Sequence, residues 1–169
     1  MRSAREAPGT GDEPGVAVSD PKPRVRVSTI VPADPADAFE VFTRETALWW
    51  RRDPRFRMSS SAPGTIRFDI GSGGARVLEE CPGGESTDIG AILVWEPGKR
   101  LVFEWQGPRF DPSARTEVEV TFARVKDGTE VTLEHRGWTP DRFSQASRDS
   151  LGLWWADLFT SYRIQLRTR

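Results

Sequence analysis

The side chains that could do chemistry in this sequence are few, and His135 is the first of them. It is the only histidine among 169 residues, and Cys81 is the only cysteine. A single cysteine cannot form an intrachain disulfide, and this pair of residues cannot supply the three or four ligands of a zinc site. We therefore expect no metal and no cofactor.

The position of His135 on a strand decides what its imidazole can reach. Strand alternation places Val131, Leu133 and His135 on one face, so the ring should point inward. A buried histidine held by a hydroxyl or carbonyl is the ordinary outcome, and a ligand-orienting or acid–base group is the alternative. No Gly-x-Ser-x-Gly motif offers a serine for it to activate. Glu79 and Glu80 are adjacent on a strand and face opposite ways, which leaves His135 as the one candidate catalytic residue.

A second group of residues mixes cations with aromatic rings, as in sites that hold nucleic acid or anionic ligands. The formal net charge of −1 argues against a dedicated nucleic-acid binder, so a solvated loop face is the alternative. We expect one of its two tryptophans to stand at the entrance of a pocket. The group comprises Arg44, Arg51, Arg52, Arg55 and Arg57 with Trp49, Trp50 and Phe56.

The elements that position these residues begin with a strand over residues 24–31, where valines alternate with polar side chains. Asp34 and Pro35 then suit the cap and first turn of a short helix whose inner side carries Ala36, Phe39 and Phe42. A second short helical piece is predicted over residues 45–50.

Six further segments alternate at the strand period and are joined by turns rich in Gly and Pro, which predicts sequential hairpins of an antiparallel sheet. Their inner face is predicted to carry the residues Ile66, Phe68, Ile70, Leu101, Phe103, Trp105, Thr116, Val118, Val120, Phe122, Val131 and Leu133.

A long C-terminal helix is predicted from one apolar stripe formed by Leu151, Trp154, Trp155, Leu158 and Tyr162. Such a stripe must be buried on the apolar face of the sheet. The fold class is therefore α+β, with an antiparallel sheet of about six to seven strands around the C-terminal helix and two short helices after the first strand.

Large rings dominate the predicted interior, since the chain has 9 Phe and 7 Trp. Bulky rings hold layers apart, so we expect a cavity for an apolar small molecule, with a dry, filled core as the alternative. The predicted ligand-binding residues are Phe39, Phe42, Trp49, Trp50, Phe68, Phe103, Trp105, Val118, Val120, Leu133, His135, Leu151, Trp154, Trp155 and Leu158.

The chain is expected to divide into a disordered tail over residues 1–23, with four prolines, three glycines and no aromatic residue, and a single domain over residues 24–169. There is no apolar run long enough to cross a membrane and no secretory signal pattern, which predicts a cytoplasmic protein without a membrane partner.

The sequence contains, in this order, VSTIVPADPADAFEVFT with the Trp49–Trp50 pair, EPGKRLVFEW, TEVEVTF, DGTEVTLEHRGW and the Leu-Trp-Trp of the last helix. Motifs in this order resemble the START-like (SRPBCC) superfamily and, within it, the Activator of Hsp90 ATPase-like family. The resemblance covers about residues 24–167 and implies a helix-grip fold like that of the birch-pollen allergen, with a cavity between the curved sheet and the C-terminal helix.

The resemblance implies a shape and leaves the activity open, because similar proteins include lipid carriers, polyketide cyclases and chaperone-associated proteins. RFDPSARTEVEVTF resembles a branch that sequesters enediyne antibiotics, although no glycine here can be assigned that branch's sacrificial role. The preferred hypothesis is a binding protein for an apolar, aromatic or polycyclic molecule, with sequestration or antibiotic self-resistance as one form of it. A cyclase or aromatase using His135 is one alternative. A co-chaperone-like module acting through residues 51–57 and Trp49, with a protein partner or as a homodimer, is another.

Overall fold

The structure is a computed structural model that describes residues 22–56, 64–106, 115–139, 141–142 and 144–169. Predictions about residues 1–21, Arg57 and residues 109–114 lie outside these ranges. The first strand, β1, spans Arg24–Val31 as predicted. It leads into two short helices, α1 over Pro35–Arg44 and α2 over Thr46–Trp49.

The start of α1 follows the predicted capping arrangement. The Asp34 carboxylate accepts a hydrogen bond of 2.9 Å from the backbone N–H of Asp37, and Pro35 occupies the first turn. Phe39 and Phe42 are buried as expected, whereas Ala36 is exposed and Ala38 takes the inner position instead. The prediction for Ala36 was therefore wrong, because the inner face of this helix begins two residues later, at Ala38.

Six more strands complete one seven-stranded antiparallel sheet in the order β1-β7-β6-β5-β4-β3-β2. Their bounds are β2 Thr65–Asp69, β3 Arg76–Glu80, β4 Ser86–Glu96, β5 Arg100–Trp105, β6 Thr116–Val125 and β7 Gly128–Arg136. Helix α1 contacts β2 at one edge and also β6 and β7, so the sheet curves around the interior.

The predicted inward face is confirmed for every position of β5, β6 and β7, including Leu101, Phe103, Trp105, Val118 and Leu133. Ile70 is an exception: β2 ends at Asp69, and the Ile70 side chain is 47% exposed. The strand pattern therefore holds only as far as the ladder extends.

The C-terminal helix, α3, spans Gln145–Arg167 and packs along β1. Trp155, Leu158 and Tyr162 are buried, while Leu151 and Trp154 are partly buried. None of the described helices combines the length and the apolar character that crossing a membrane requires. The predicted helix-grip architecture is confirmed.

Candidate functional site

Four tryptophans meet where the N-terminal half of α3 crosses the ends of β5 and β7. Trp50 follows α2, Trp105 ends β5, and Trp154 and Trp155 lie on α3; we call these four the tryptophan cluster. All six pairs of ring centroids lie between 4.8 and 6.2 Å apart. Stacked and edge-to-face contacts at such distances are the favourable geometries of aromatic rings. The cluster unites four of the predicted ligand-binding residues.

Trp154 is the member of the cluster that reaches the surface, since its side chain is only partly buried while the other three are buried. It lies one turn after Leu151, which is also partly buried. The cluster therefore has a closed inner side and one accessible ring.

A short segment covers the outer side of the cluster. Residues Pro54–Phe56 form a single 3-10 turn, here called the Phe56 turn, and the Phe56 ring lies 5.3 Å from that of Trp154 and is 1% exposed. Two indole N–H groups hold the turn: Trp154 donates to the carbonyl of Arg55 at 2.7 Å, and Trp50 donates to the carbonyl of Phe56 at 3.3 Å. Hydrogen bonds from two indole N–H groups to backbone carbonyls of the Phe56 turn therefore attach this turn to the tryptophan cluster.

Two of the arginines predicted beside aromatic rings lie over Phe56. The guanidinium carbons of Arg51 and Arg55 are 5.8 and 5.2 Å from the centroid of that ring. Arg55 also pairs with Asp53 at 3.3 Å and with Asp157 of α3 at 3.8 Å. These cations therefore contact the outside of the Phe56 turn, where solvent screens their electrostatic interactions.

His135 lies beneath the cluster and is 0% exposed. Its Nδ1 accepts a hydrogen bond of 3.2 Å from the indole N–H of Trp155, and its Nε2 is 2.8 Å from the hydroxyl of Thr116. That hydroxyl donates to the carbonyl of Trp105 at 2.9 Å, so it accepts from Nε2–H. The chain of donors fixes the neutral Nε2–H tautomer.

Burial lowers the pKa of His135 to about 3, because a charged imidazolium would lose its water. The imidazole is therefore neutral at physiological pH, and both its nitrogens are engaged by the protein. As an acid–base group it would have to break one of these hydrogen bonds. The geometry matches the ordinary alternative of a buried histidine satisfied by a hydroxyl.

The remaining predicted ligand-binding residues form the interior next to the cluster. Phe39 and Phe42 are buried rings of α1, and Phe68 and Phe103 are buried rings of β2 and β5. Val118, Val120 and Leu133 supply the floor on β6 and β7. Trp49 belongs to this interior as well: its indole N–H donates to the carbonyl of Val41 at 3.0 Å and joins α2 to α1. Of the Trp49–Trp50 pair, Trp50 thus contacts the covering turn and Trp49 fastens the helices.

Sequence reasoning missed some members of this region. The ring of Trp138, which was not predicted, lies 4.4 Å from His135. Phe56 was named beside the arginines, but its place over the cluster was not predicted. Phe159 and Leu166 of α3 are buried although the predicted stripe omitted them. The helical spacing of Phe159 from Trp155 was a usable signal, whereas Trp138 follows the last strand and no periodicity marks it.

Metal binding finds no support in the part of the chain that the structure describes, where no three His, Cys, Asp or Glu side chains come together. The chemistry of this site is that of rings, indole donors and one neutral imidazole. Such groups bind apolar surface and orient hydrogen-bond acceptors.

Comparison with known proteins gives one family. The family model of Activator of Hsp90 ATPase homolog 1-like protein matches residues 32–158. A search of curated proteins found no match.

Solved structures share the fold at low sequence identity. A protein of the dynemicin biosynthetic locus, DynU16, is 23% identical with a TM-score of 0.64, over 88% of this chain and 48% of that one. MLL2253 from Mesorhizobium loti is 21% identical with a TM-score of 0.60, over 87% and 98%. An Aha1 dimer from Colwellia psychrerythraea is 16% identical with a TM-score of 0.55, over 85% and 95%.

Proposed function

Because the chain belongs to the family of Activator of Hsp90 ATPase homolog 1-like proteins, and because it concentrates tryptophan at one end of its interior, we propose that it binds an apolar aromatic or polycyclic small molecule. The ligand is held between the sheet and α3, at the tryptophan cluster. The role is retention of the ligand, as in sequestration of a natural product, rather than its conversion.

The observation that carries this proposal is the single accessible ring, Trp154, backed by Trp50, Trp105 and Trp155. A flat apolar ligand placed on Trp154 buries its surface against a rigid aromatic wall at little cost in side-chain entropy. Burial contributes roughly 25 cal/mol per Å² before ordering costs are subtracted.

Phe56 shows how such a ligand fits. Its ring packs on Trp154 at 5.3 Å and its backbone accepts from Trp50. An aromatic guest of similar width replaces Phe56 in this place, and the Phe56 turn moves aside when the two indole hydrogen bonds break. The turn thus occupies the site until the ligand arrives.

The charge of the site favours a neutral guest. The depressed pKa of His135 keeps the imidazole uncharged beneath the cluster, and the arginines of the Phe56 turn lie outside the ring rather than within the wall. Relatives of similar shape include DynU16, whose gene lies in a biosynthetic locus, which supports a natural product as the class of ligand.

The enzyme alternative depends on His135, and the site gives it little support. A proton-transfer group needs a free nitrogen directed at the substrate. Here Trp155 occupies Nδ1 and Thr116 occupies Nε2. Conversion of a ligand would therefore require rearrangement of the hydrogen bonds that hold the core.

The neutral fluorophore N-phenyl-1-naphthylamine tests the proposal. We expect its emission to rise on binding, and Trp154→Ala to weaken the affinity roughly tenfold, since one aromatic wall is worth on the order of 1–3 kcal/mol. Phe56→Ala should strengthen binding, because the guest no longer competes with the Phe56 ring. Opposite effects of two ring deletions are expected only if Phe56 occupies the ligand's place.

Leu153→Ala is the matched control, since Leu153 precedes Trp154 on α3 but is 71% exposed on the other side. It should leave the affinity unchanged. If Phe56→Ala and Trp154→Ala weaken binding equally, Phe56 is part of the wall and the replacement step is wrong. If neither variant alters binding, the ligand site lies elsewhere.

A further inference from the structure

A groove outside the tryptophan cluster opens between the helices and the β2 edge of the sheet. It measures about 440 Å³, and its described lining includes Arg44, Arg67, Phe68, Asp69, Ile70 and Trp95. No member of the tryptophan cluster is among those lining residues. The volume falls within the usual range of small-molecule sites.

The apolar part of the groove is made of rings and one exposed aliphatic side chain. Phe68 and Trp95 have their ring centroids 6.5 Å apart, and Trp95 is braced from behind by Phe39 at 5.1 Å. Ile70 remains 47% exposed beside them. This part of the groove therefore offers apolar surface to an aromatic guest.

Of the two arginines in the described lining of the groove, Arg67 and Arg44, only Arg67 forms ion pairs with other described residues. Arg67 pairs with Glu80 at 2.7 Å and with Asp69 at 3.3 Å. By contrast, no ion pair or hydrogen bond joins Arg44 to another residue that the structure describes. Arg44 ends α1, where the negative end of the helix dipole stabilises its guanidinium without a carboxylate partner.

The threonines of the groove do not compete for that role. The Thr43 hydroxyl donates to the carbonyl of Phe39 at 2.8 Å, and the Thr46 hydroxyl donates to the carbonyl of Ile66. Their protons are used within the fold. An anionic group in the groove is therefore bound through Arg44.

We propose that this groove is a second binding site, which takes a small aromatic monocarboxylate with its ring on Trp95 and Ile70 and its carboxylate on Arg44. The carboxylates of Asp69 and Glu80 give the Arg67 group a net negative charge, which repels a phosphate dianion more strongly than a monocarboxylate. One negative charge on a flat ring therefore fits better than a phosphorylated ligand. The site is independent of the function proposed above.

The test compares 2-naphthoate with its neutral analogue 2-naphthalenemethanol by NMR titration of the full chain. We expect 2-naphthoate to shift the indole N–H resonance of Trp95. Arg44→Gln should weaken the affinity for 2-naphthoate roughly fivefold, which corresponds to the loss of one partly solvated ion pair. It should change the affinity for the neutral analogue less than twofold. Inorganic phosphate should produce no shift at Trp95.

Arg26→Gln is the matched control, because Arg26 is an exposed arginine on β1 at the opposite edge of the sheet. Arg26→Gln should leave the affinities for both ligands unchanged. An unchanged affinity of 2-naphthoate for Arg44→Gln would overturn the assignment. So would shifts confined to the indole resonances of the tryptophan cluster together with a loss of 2-naphthoate affinity in Trp154→Ala, since the ligand would then occupy that cluster. Neither result depends on how N-phenyl-1-naphthylamine binds.

Discussion

At the residue scale, the two ring nitrogens of His135 determine what this side chain can do. Trp155 donates to Nδ1 while Nε2–H is directed at Thr116, whose own proton goes to the carbonyl of Trp105. Three elements, α3, β6 and β5, are thus joined through one neutral imidazole. Because a buried polar group without partners is costly, this chain of hydrogen bonds holds the tryptophan cluster in a defined arrangement.

The neutral state of His135 predicts how stability depends on pH. The folded pKa of about 3 lies below the value of 6.5 expected for an exposed histidine. Stability from the neutral imidazole is therefore complete above pH 6.5 and declines as the pH falls toward 3, by about 1.4 kcal/mol per pH unit. Urea unfolding of the protein and of His135→Gln between pH 7 and 5 measures how the free energy of unfolding changes with pH.

Glutamine keeps an acceptor and a donor at position 135 but does not titrate there, so His135→Gln should show a flatter dependence on pH. Because His135 is the only histidine, the difference between the two proteins isolates its contribution. Parallel curves would mean that the imidazole becomes protonated in the folded protein near its ordinary pKa.

At the element scale, the residue pattern predicted which side chains of a strand face inward and where the first helix begins. The inward positions of β6 and β7 were correct because strands alternate strictly, and Asp34 was identified because a capping carboxylate is a local signal. The covering of the cluster by Phe56 and the exposure of Ile70 depend on where a turn folds back and where a ladder stops. No spacing in the sequence encodes either of these. Whether the listed rings bind a ligand stays a prediction.

The close approach of β4 and β5 gives a prediction at this scale. A side chain at Gly90 would bring its Cβ within 2.2 Å of the backbone carbonyl oxygen of Glu104. Gly90→Ala should therefore destabilise the fold by about 1–3 kcal/mol, because backbone must move to accept the methyl group. Denaturant unfolding measures the loss, and Gly73→Ala, which meets nothing within 4 Å, is the control. Equal stability of the two variants would contradict the packing described for these strands.

At the scale of the whole molecule, the interior is continuous from one end of the sheet to the other. The buried rings next to α1 connect to the tryptophan cluster by two ring contacts. The ring centroids of Phe103 and Trp105 are 6.1 Å apart, and those of Trp49 and Trp50 are 5.4 Å apart. The outer face of the sheet carries charges instead, where Arg136 pairs with Glu119 at 2.7 Å and with Glu117 at 2.5 Å. We therefore expect an apolar ligand to bind on the concave side or at its edge.

This continuity predicts that a guest at the tryptophan cluster stabilises the whole fold. A ligand that binds only the folded state adds about 2.7 kcal/mol when its free concentration is one hundred times its Kd. For a chain of this length that corresponds to a rise in Tm of roughly 5–11 °C. Thermal unfolding with N-phenyl-1-naphthylamine, followed by far-ultraviolet circular dichroism, should show this rise in the protein and in Leu153→Ala. In Trp154→Ala the rise should fall to about half at the same ligand concentration, because a tenfold weaker affinity leaves about 1.4 kcal/mol of stabilisation. An undiminished rise in Trp154→Ala would place the guest away from the cluster. The absence of any rise, with binding demonstrated by fluorescence, would mean that the ligand binds the unfolded chain equally well.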